Sequence, residues 1–364
     1  MKDLRIEKLA KNLVNYSVTV NKCDSVIIES GIGAKDLVIA LVREIYKKGA
    51  YPFVRLSDEQ VGREVMMGMT EELSKKMCHF TLPMFEESDA YIGIGSVRNI
   101  FENSDVPSAN KTIHAKYYGK PVHMDARVGK DNWVILDWPS PSLAQMAQMP
   151  MEKFEDFFFD VCTMNYAKMK EAMIPLKNLM ERTDKVRIAG QDTDLSFSIK
   201  GQNAIICSGE KNIPDGEIYT SPLRTSVNGK IRFNTQTMHK GIIHNNPTFE
   251  FKDGKVISAV SDNSKELNEE LDSDEGARYL GEFAFGVNPY VKKPMNETLF
   301  DEKIAGSIHF ALGNSYDDAP NGNKSQIHWD IVFQGGEIYF DDVLIRKDGK
   351  FLLKELAPLN KKSF

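Results

Sequence analysis

Cysteine is scarce in this 364-residue chain: Cys23, Cys78, Cys162 and Cys207 are the four present, far apart and never paired as C-x-x-C. That pattern excludes a disulfide framework and a thiolate zinc site, and it points to a reducing, cytoplasmic setting. Long apolar runs are missing as well. None approaches the ~18–20 residues that a membrane span requires. The opening MKDLRIEKLAKNL breaks its apolar positions with charge throughout, unlike a signal peptide. Nor is there an excess of positive charge. Lys and Arg number 46 against 52 Asp and Glu, a formal net charge of −6, so the electrostatic footprint of a general nucleic-acid binder is absent. No G-x-x-x-x-G-K-[ST] or G-x-S-x-G sequence occurs. Gly31-Ile32-Gly33 has Asp36 where a dinucleotide fingerprint needs its third glycine, and it reads as an ordinary strand-to-helix turn.

What is present suffices for a sizeable core. Hydrophobic residues make up 41% and charged residues 27%, ordinary globular values, and the length predicts two domains at roughly 150 residues each. The first half alternates helix and strand. Ile6, Leu9, Ala10, Leu13 and Val14 recur with helical spacing, which predicts an amphipathic helix over 3–17. A β-branched run at 25–30 leads through the glycine turn into a helix marked by Leu37, Leu41 and Ile45 and stopped by Lys47, Lys48 and Gly49. Residues 51–56, 90–96 and 121–124 read as further strands, and such alternation favours a mostly parallel sheet with covering helices. Residues 151–183 are strongly helical, with Pro175 expected to kink or divide the segment.

Beyond about residue 183 the pattern becomes β-rich. Residues 186–189 and 195–199 read as paired strands, and Asp253-Gly254 and Asp348-Gly349 mark hairpins within 249–260 and 337–351. One acidic helix is expected over 264–279. The expected architecture is therefore α/β (α+β): an N-terminal, mostly parallel α/β domain over 1–184, then a β-rich C-terminal domain over 185–364.

Several features have ordinary explanations. Met146, Met149 and Met151 suit core or interface packing, and His79, His114 and His123 lack paired ligand spacing. The acidic run 266–275 reads as a solvated helix face. His239 and His244 lie five apart around Gly241, a spacing that fixes no shared face.

The sharpest chemical feature is Ile327-His328-Trp329-Asp330-Ile331-Val332. On a strand, residues two apart share a face, so His328 and Asp330 present an imidazole and a carboxylate side by side. A metal satisfies such a pair; so does a buried His–Asp hydrogen bond, and the motif alone fits both. His309 sits in Ser307-Ile308-His309-Phe310-Ala311-Leu312-Gly313, with Tyr316 just past the following turn. Glu217 and Glu282 each follow a glycine beside an apolar strand. Two histidines, two glutamates and one aspartate form a mixed N/O set suited to zinc, cobalt or manganese. Five donors exceed the four of one tetrahedral zinc, which favours a shared two-metal site with a bridging carboxylate.

These residues belong to ordered stretches: 212–222, Gly276 through Phe283, Asp301 through Tyr316, 327–330 and Gly336 through Phe340, with Trp138-Pro139-Ser140-Pro141 in the first half. Together they resemble the thermophilic-type metalloaminopeptidases, the group of aminopeptidases T, S and II. The resemblance implies a cytoplasmic exopeptidase that releases N-terminal amino acids using two divalent metal ions, usually as a homodimer, with free-amine peptides as its partners. It also implies that Glu217, Glu282, His309, His328 and Asp330 hold the metals. Tyr316 would be the active-site tyrosine, and Glu282 either a bridging ligand or the general base. The chain departs from the family pattern after Tyr316, where Asp317-Asp318 follows and the stretch to His328 is short, which bears on substrate preference. Asp341-Asp342 is a second departure, read as a turn variation. The alternatives are another two-metal amidase or carboxypeptidase, or a catalytically silent peptide-binding protein on the same scaffold.

Overall fold

The computed structural model describes residues 3–130 and 132–364. The chain forms two compact units, one of residues 1–163 with 209–213, the other of 164–208 with 214–364. The sequence pattern suggested a boundary near 184, where helix gives way to strand. The contact division falls earlier because helix Tyr166–Arg182 buries Met169, Met173, Leu176 and Met180 within the second unit.

The first unit is built on a five-stranded parallel sheet in the order Tyr51–Ser57, Ser25–Gly31, Ala90–Gly95, Trp133–Asp137 and Asn212–Ile213. Val26, Ile27 and Ile28 are fully buried in its centre, as expected of a strand covered on both faces. Leu4–Asn12 begins with Asp3 accepting from the Arg5 amide, a side-chain cap for an otherwise orphaned donor. Residues 121–124 are not a strand. They lie in a wide, π-type helical stretch, Ala115–Val128, where Tyr118 and Val122, four apart, both enter a core cluster with Ile27, Phe85 and Tyr91. The short apolar run obeyed helical spacing, and Trp133–Asp137 takes the place in the sheet. Pro175 does not divide its helix either; the break in the 151–183 region falls at residues 163–165, between Met151–Cys162 and Tyr166–Arg182.

The second unit packs an eight-stranded antiparallel sheet against a five-stranded one. The five run in the order His328–Gln334, Ser307–Gly313, Leu280–Gly286, Glu217–Thr220 and Ile205–Cys207. Aromatic rings join the two sheets, with Phe197 5.0 Å from Phe283 and 5.5 Å from Phe310, and Phe285 5.9 Å from Phe340. The hairpin turns follow their sequence signals: Asp253-Gly254 and Asp348-Gly349 both have positive φ at both positions, and so does Asp341-Asp342, which turns the chain between Glu337–Phe340 and Val343–Lys347. The acidic helix is shorter than expected and ends at Leu271. Among the described residues no helix is long and apolar enough to cross a membrane.

Candidate metal centre

The two faces of the five-stranded sheet have opposite chemistry. Phe283, Phe285, Ile308, Phe310, Leu312, Ile331 and Phe333 alternate onto one face and are buried. The intervening positions carry Glu217, Glu282, His309, His328 and Asp330. Strand register explains why these five meet. Glu282 lies opposite Ala311, which lies opposite Asp330; Tyr219 lies opposite Ala284, which lies opposite His309. A fully buried alanine thus separates each pair of functional side chains, leaving space between their tips. The glycines preceding the two glutamates also have structural causes. Gly216 has φ +132, and a Cβ on Gly281 would stand 2.1 Å from the Asn314 carbonyl oxygen.

The structure brings all five expected donors together. His309 Nε2 lies 3.0 Å from Glu282 Oε1 and 3.3 Å from Glu217 Oε2. His328 Nε2 lies 3.6 Å from both Glu282 Oε2 and Asp330 Oδ1. His328 Nδ1 is 2.9 Å from the Asn314 carbonyl, which can only accept, so Nδ1 carries a proton and Nε2 is the nitrogen that faces the carboxylates. Tyr316 packs its ring 4.5 Å from His328 and 5.7 Å from Tyr219. Tyr219 in turn donates to Asp318 at 2.8 Å, so the second aspartate after Tyr316 ties this loop to the sheet.

Three residues that spacing did not reveal complete the cluster. Glu302 groups with Glu217 and His309, while Glu282, His328 and Asp330 form a second group; within each, the candidate ligand atoms lie within 4.8 Å of one another. Lys303, fully buried, places its Nζ 2.5 Å from Glu302 Oε1, 2.6 Å from Glu217 Oε1 and 3.6 Å from Asp215 Oδ1. Asn288 organises this corner. Its backbone amide donates to the Lys303 carbonyl at 3.0 Å, and its side chain donates to the Asp215 carbonyl at 2.7 Å. The stretch Asp301-Glu302-Lys303 lies outside any strand, so no period-two pattern marks it.

The donors fit divalent cations. Glu217 Oε2, Glu282 Oε2 and Asp330 Oδ1 are buried without a hydrogen-bond partner, and each such atom costs about 1–3 kcal/mol unless something compensates it. Protons respond in the same sense. Burial raises the pKa of Glu282, with Asp330 adding to the effect, and burial raises Glu302 well above its ordinary value despite Lys303. Burial opposes charge on His309, but Glu282 and Glu217 outweigh it and push its pKa up to about 9. His328 is raised likewise by Asp330 and Glu282 against its burial. The cluster is short of positive charge, which is the condition a bound cation relieves. Cys207 also neighbours Asp215 and Glu217, but burial holds its thiol well above the ordinary value, and Lys303 already serves those carboxylates.

The remaining histidines lie elsewhere. His239 stacks on Trp329 at 4.4 Å and meets Glu270 at 3.1 Å, while His244 contacts Ser261. His123 packs among Phe85, Tyr91 and Tyr118.

Residues 2–351 match the family model described as Thermophilic metalloprotease (M29). Curated relatives include aminopeptidase AmpS of Bacillus subtilis, 24% identical over 91% of this chain and 89% of its own length. Aminopeptidase T of Thermus thermophilus is 24% identical over 92% and 94% of the two chains. The solved structure of wild-type AmpT from Thermus thermophilus superposes with a TM-score of 0.83 at 21% identity, covering 96% of this chain and 99% of that one, and so shares the fold.

Proposed function

The chain belongs to the thermophilic metalloprotease family, a metal-dependent class of peptide hydrolases, and on that premise we propose that it is an aminopeptidase working with two divalent ions. The observation that carries this reading is the position of Glu282, whose two oxygens face the histidines of two adjoining donor groups. Glu217, Glu302 and His309 would hold one ion and His328 and Asp330 the other, with Glu282 shared. The donor set suits zinc, cobalt or manganese. Such ions supply a water whose pKa is lowered to about 7 and polarise the scissile carbonyl.

The protein's own groups do the rest. With both Glu282 oxygens given to the ions, the proton of the attacking water passes to a carboxylate oxygen of the cluster that the ions leave free and from there to the leaving amine. Tyr316 donates its hydroxyl to the oxyanion of the tetrahedral intermediate. Burial and the nearby carboxylates Glu282 and Asp330 raise its pKa, so it stays a donor at any working pH. The substrate's α-ammonium pairs with the acidic cluster, which confines cleavage to the N-terminal residue. A cytoplasmic homodimer acting on free-amine peptides completes the reading, and it rests on the family resemblance.

The test compares leucyl-anilide with its N-acetylated form on chelator-stripped protein reloaded with cobalt or zinc, with metal per chain counted by atomic emission. Restored cleavage of the free-amine substrate alone, at two ions per chain, is the expected result. Cleavage of both substrates, or none at full metal loading, overturns it.

A further inference from the structure

We infer that Lys303 is an internal counter-cation that grades the two metal positions, making the group of Glu217, Glu302 and His309 the weaker and more exchangeable one. The inference rests on the two-ion reading above and concerns a residue which that reading leaves without a role.

A fully buried ammonium is held only where carboxylates face it, and Lys303 has three: Asp215, Glu217 and Glu302. All three lie on one side of the centre, and its ion pairs include none of Glu282, His328 or Asp330. Its position is fixed by the backbone. The Lys303 amide donates to the Phe300 carbonyl and its carbonyl accepts from Asn288, both at 3.0 Å. The backbone thus anchors the residue, and the fully buried ammonium is held at its tip by the three carboxylates. Lys303 also takes one oxygen of Glu217, Oε1, while the other, Oε2, stays unpartnered and 3.3 Å from His309 Nε2. One oxygen is committed to the ammonium and one is left for a metal, so the carboxylate is a one-point ligand there.

Charge balance supports the same role. When ionised, Asp215, Glu217, Glu282, Glu302 and Asp330 with Lys303 leave four negative charges, which two divalent cations neutralise. Without the ammonium, the Lys303 side of the centre would attract a cation more strongly than the other. With it, a dication there faces a fixed like charge a few ångströms away. Even with bulk-water screening, that repulsion amounts to about tenfold or more in affinity. Lys303 is thus a positioning and charge-setting residue, one that touches the ligands and not the substrate.

The experiment is a cobalt titration of the metal-stripped full chain, followed by calorimetry and by the visible absorption of bound cobalt, for the native protein, Lys303→Met and the pair Asp215→Asn with Lys303→Met. The paired variant removes one charge of each sign and so retains the buried balance should the single variant fail to fold. The native protein should show two steps separated by at least about tenfold. Lys303→Met should tighten the weaker step by about the same factor and leave the tighter one unchanged, whereas the paired variant, unchanged in net charge, should leave both steps near their native values. In the native background, Glu302→Gln should weaken the weaker step alone. Unmoved constants in Lys303→Met, a tightened weaker step in the paired variant, a further loss at the weaker step in Lys303→Met, or an effect of Glu302→Gln on the tighter step would each overturn the inference while two-ion binding stood. A single ion per native chain would remove the two-ion reading and the inference together.

Discussion

Removing one oxygen, by Tyr316→Phe, isolates the step that stabilises the oxyanion. The hydroxyl of Tyr316 makes no hydrogen bond to the protein among the described residues, and the ring is positioned by a tilted contact with His328 at 4.5 Å and an edge contact with Tyr219 at 5.7 Å. Phenylalanine retains both ring contacts and breaks no structural bond, so stability should change by less than about 0.5 kcal/mol. Loss of a single oxyanion donor costs about 2.7–4 kcal/mol in other hydrolases. Tyr316 is 45% exposed, and water at that rim can replace part of the lost donation, which places the expectation at the lower end. A loss of 2.7 kcal/mol corresponds to about a hundredfold in kcat, with KM nearly unchanged because the ground-state carbonyl does not need the donor. The assay is steady-state hydrolysis of leucyl-anilide, with metal content and thermal unfolding measured on the same preparations. Because the phenol stays protonated, the ratio of the two enzymes should not vary between neutral and mildly alkaline pH. A kcat within threefold of native, a loss expressed wholly in KM, or a loss traced to missing metal would each refute the oxyanion role.

Three other expectations follow from the packing. Ala311, fully buried between Glu282 and Asp330, leaves the space in which donor atoms converge; Ala311→Leu should cost about 1–3 kcal/mol of stability by overpacking and reduce bound metal per chain, and native metal content in the variant would contradict the geometry. Thr237, Met238, Asn296 and Val332 line a small cavity that reaches Glu302 and Asp330, so a larger side chain there presses on those two carboxylates. Met238→Trp should therefore lower the metal bound per chain, and native metal content in the variant would separate the cavity from the centre. His123 has its pKa lowered chiefly by burial, with Arg127 and Arg55 adding and Glu29 opposing. Above its ordinary value of 6.5 it is neutral folded or unfolded and its contribution is complete; as pH falls below 6.5 the unfolded chain takes the proton first and stability is lost. Denaturant unfolding of His123→Phe from pH 7.5 to 5 should therefore lose part of the native acid-side decline, and parallel curves for the two proteins would show that His123 does not contribute to it.

How much of the centre the sequence revealed depended on where each donor sits in the backbone. His309, His328, Asp330 and Glu282 stand on strands, where period-two alternation with buried phenylalanine and isoleucine marks the odd polar residue as facing something. The glycines before Glu217 and Glu282 were visible as a shared feature, although their reasons, a positive φ at one and a carbonyl against the other, required the tertiary structure. The same short-range logic misread residues 121–124, because four residues cannot distinguish a strand from a turn of helix; Val122 is aligned with Tyr118, and that pairing decides the matter. Glu302 and Lys303 were beyond such reasoning altogether. They follow a four-residue helix, Thr298–Asp301, and Lys303 is held by Asn288, which also holds Asp215 more than seventy residues earlier. A donor on a strand repeats with its neighbours. A donor on a connecting segment is placed only by contacts distant in sequence. The buried lysine compounds the difficulty, since a Lys beside Asp and Glu in a loop ordinarily signals a solvated surface. That it is instead fully buried, with an ammonium among three carboxylates, makes Lys303 the residue through which this centre can be distinguished from one built of ligands alone.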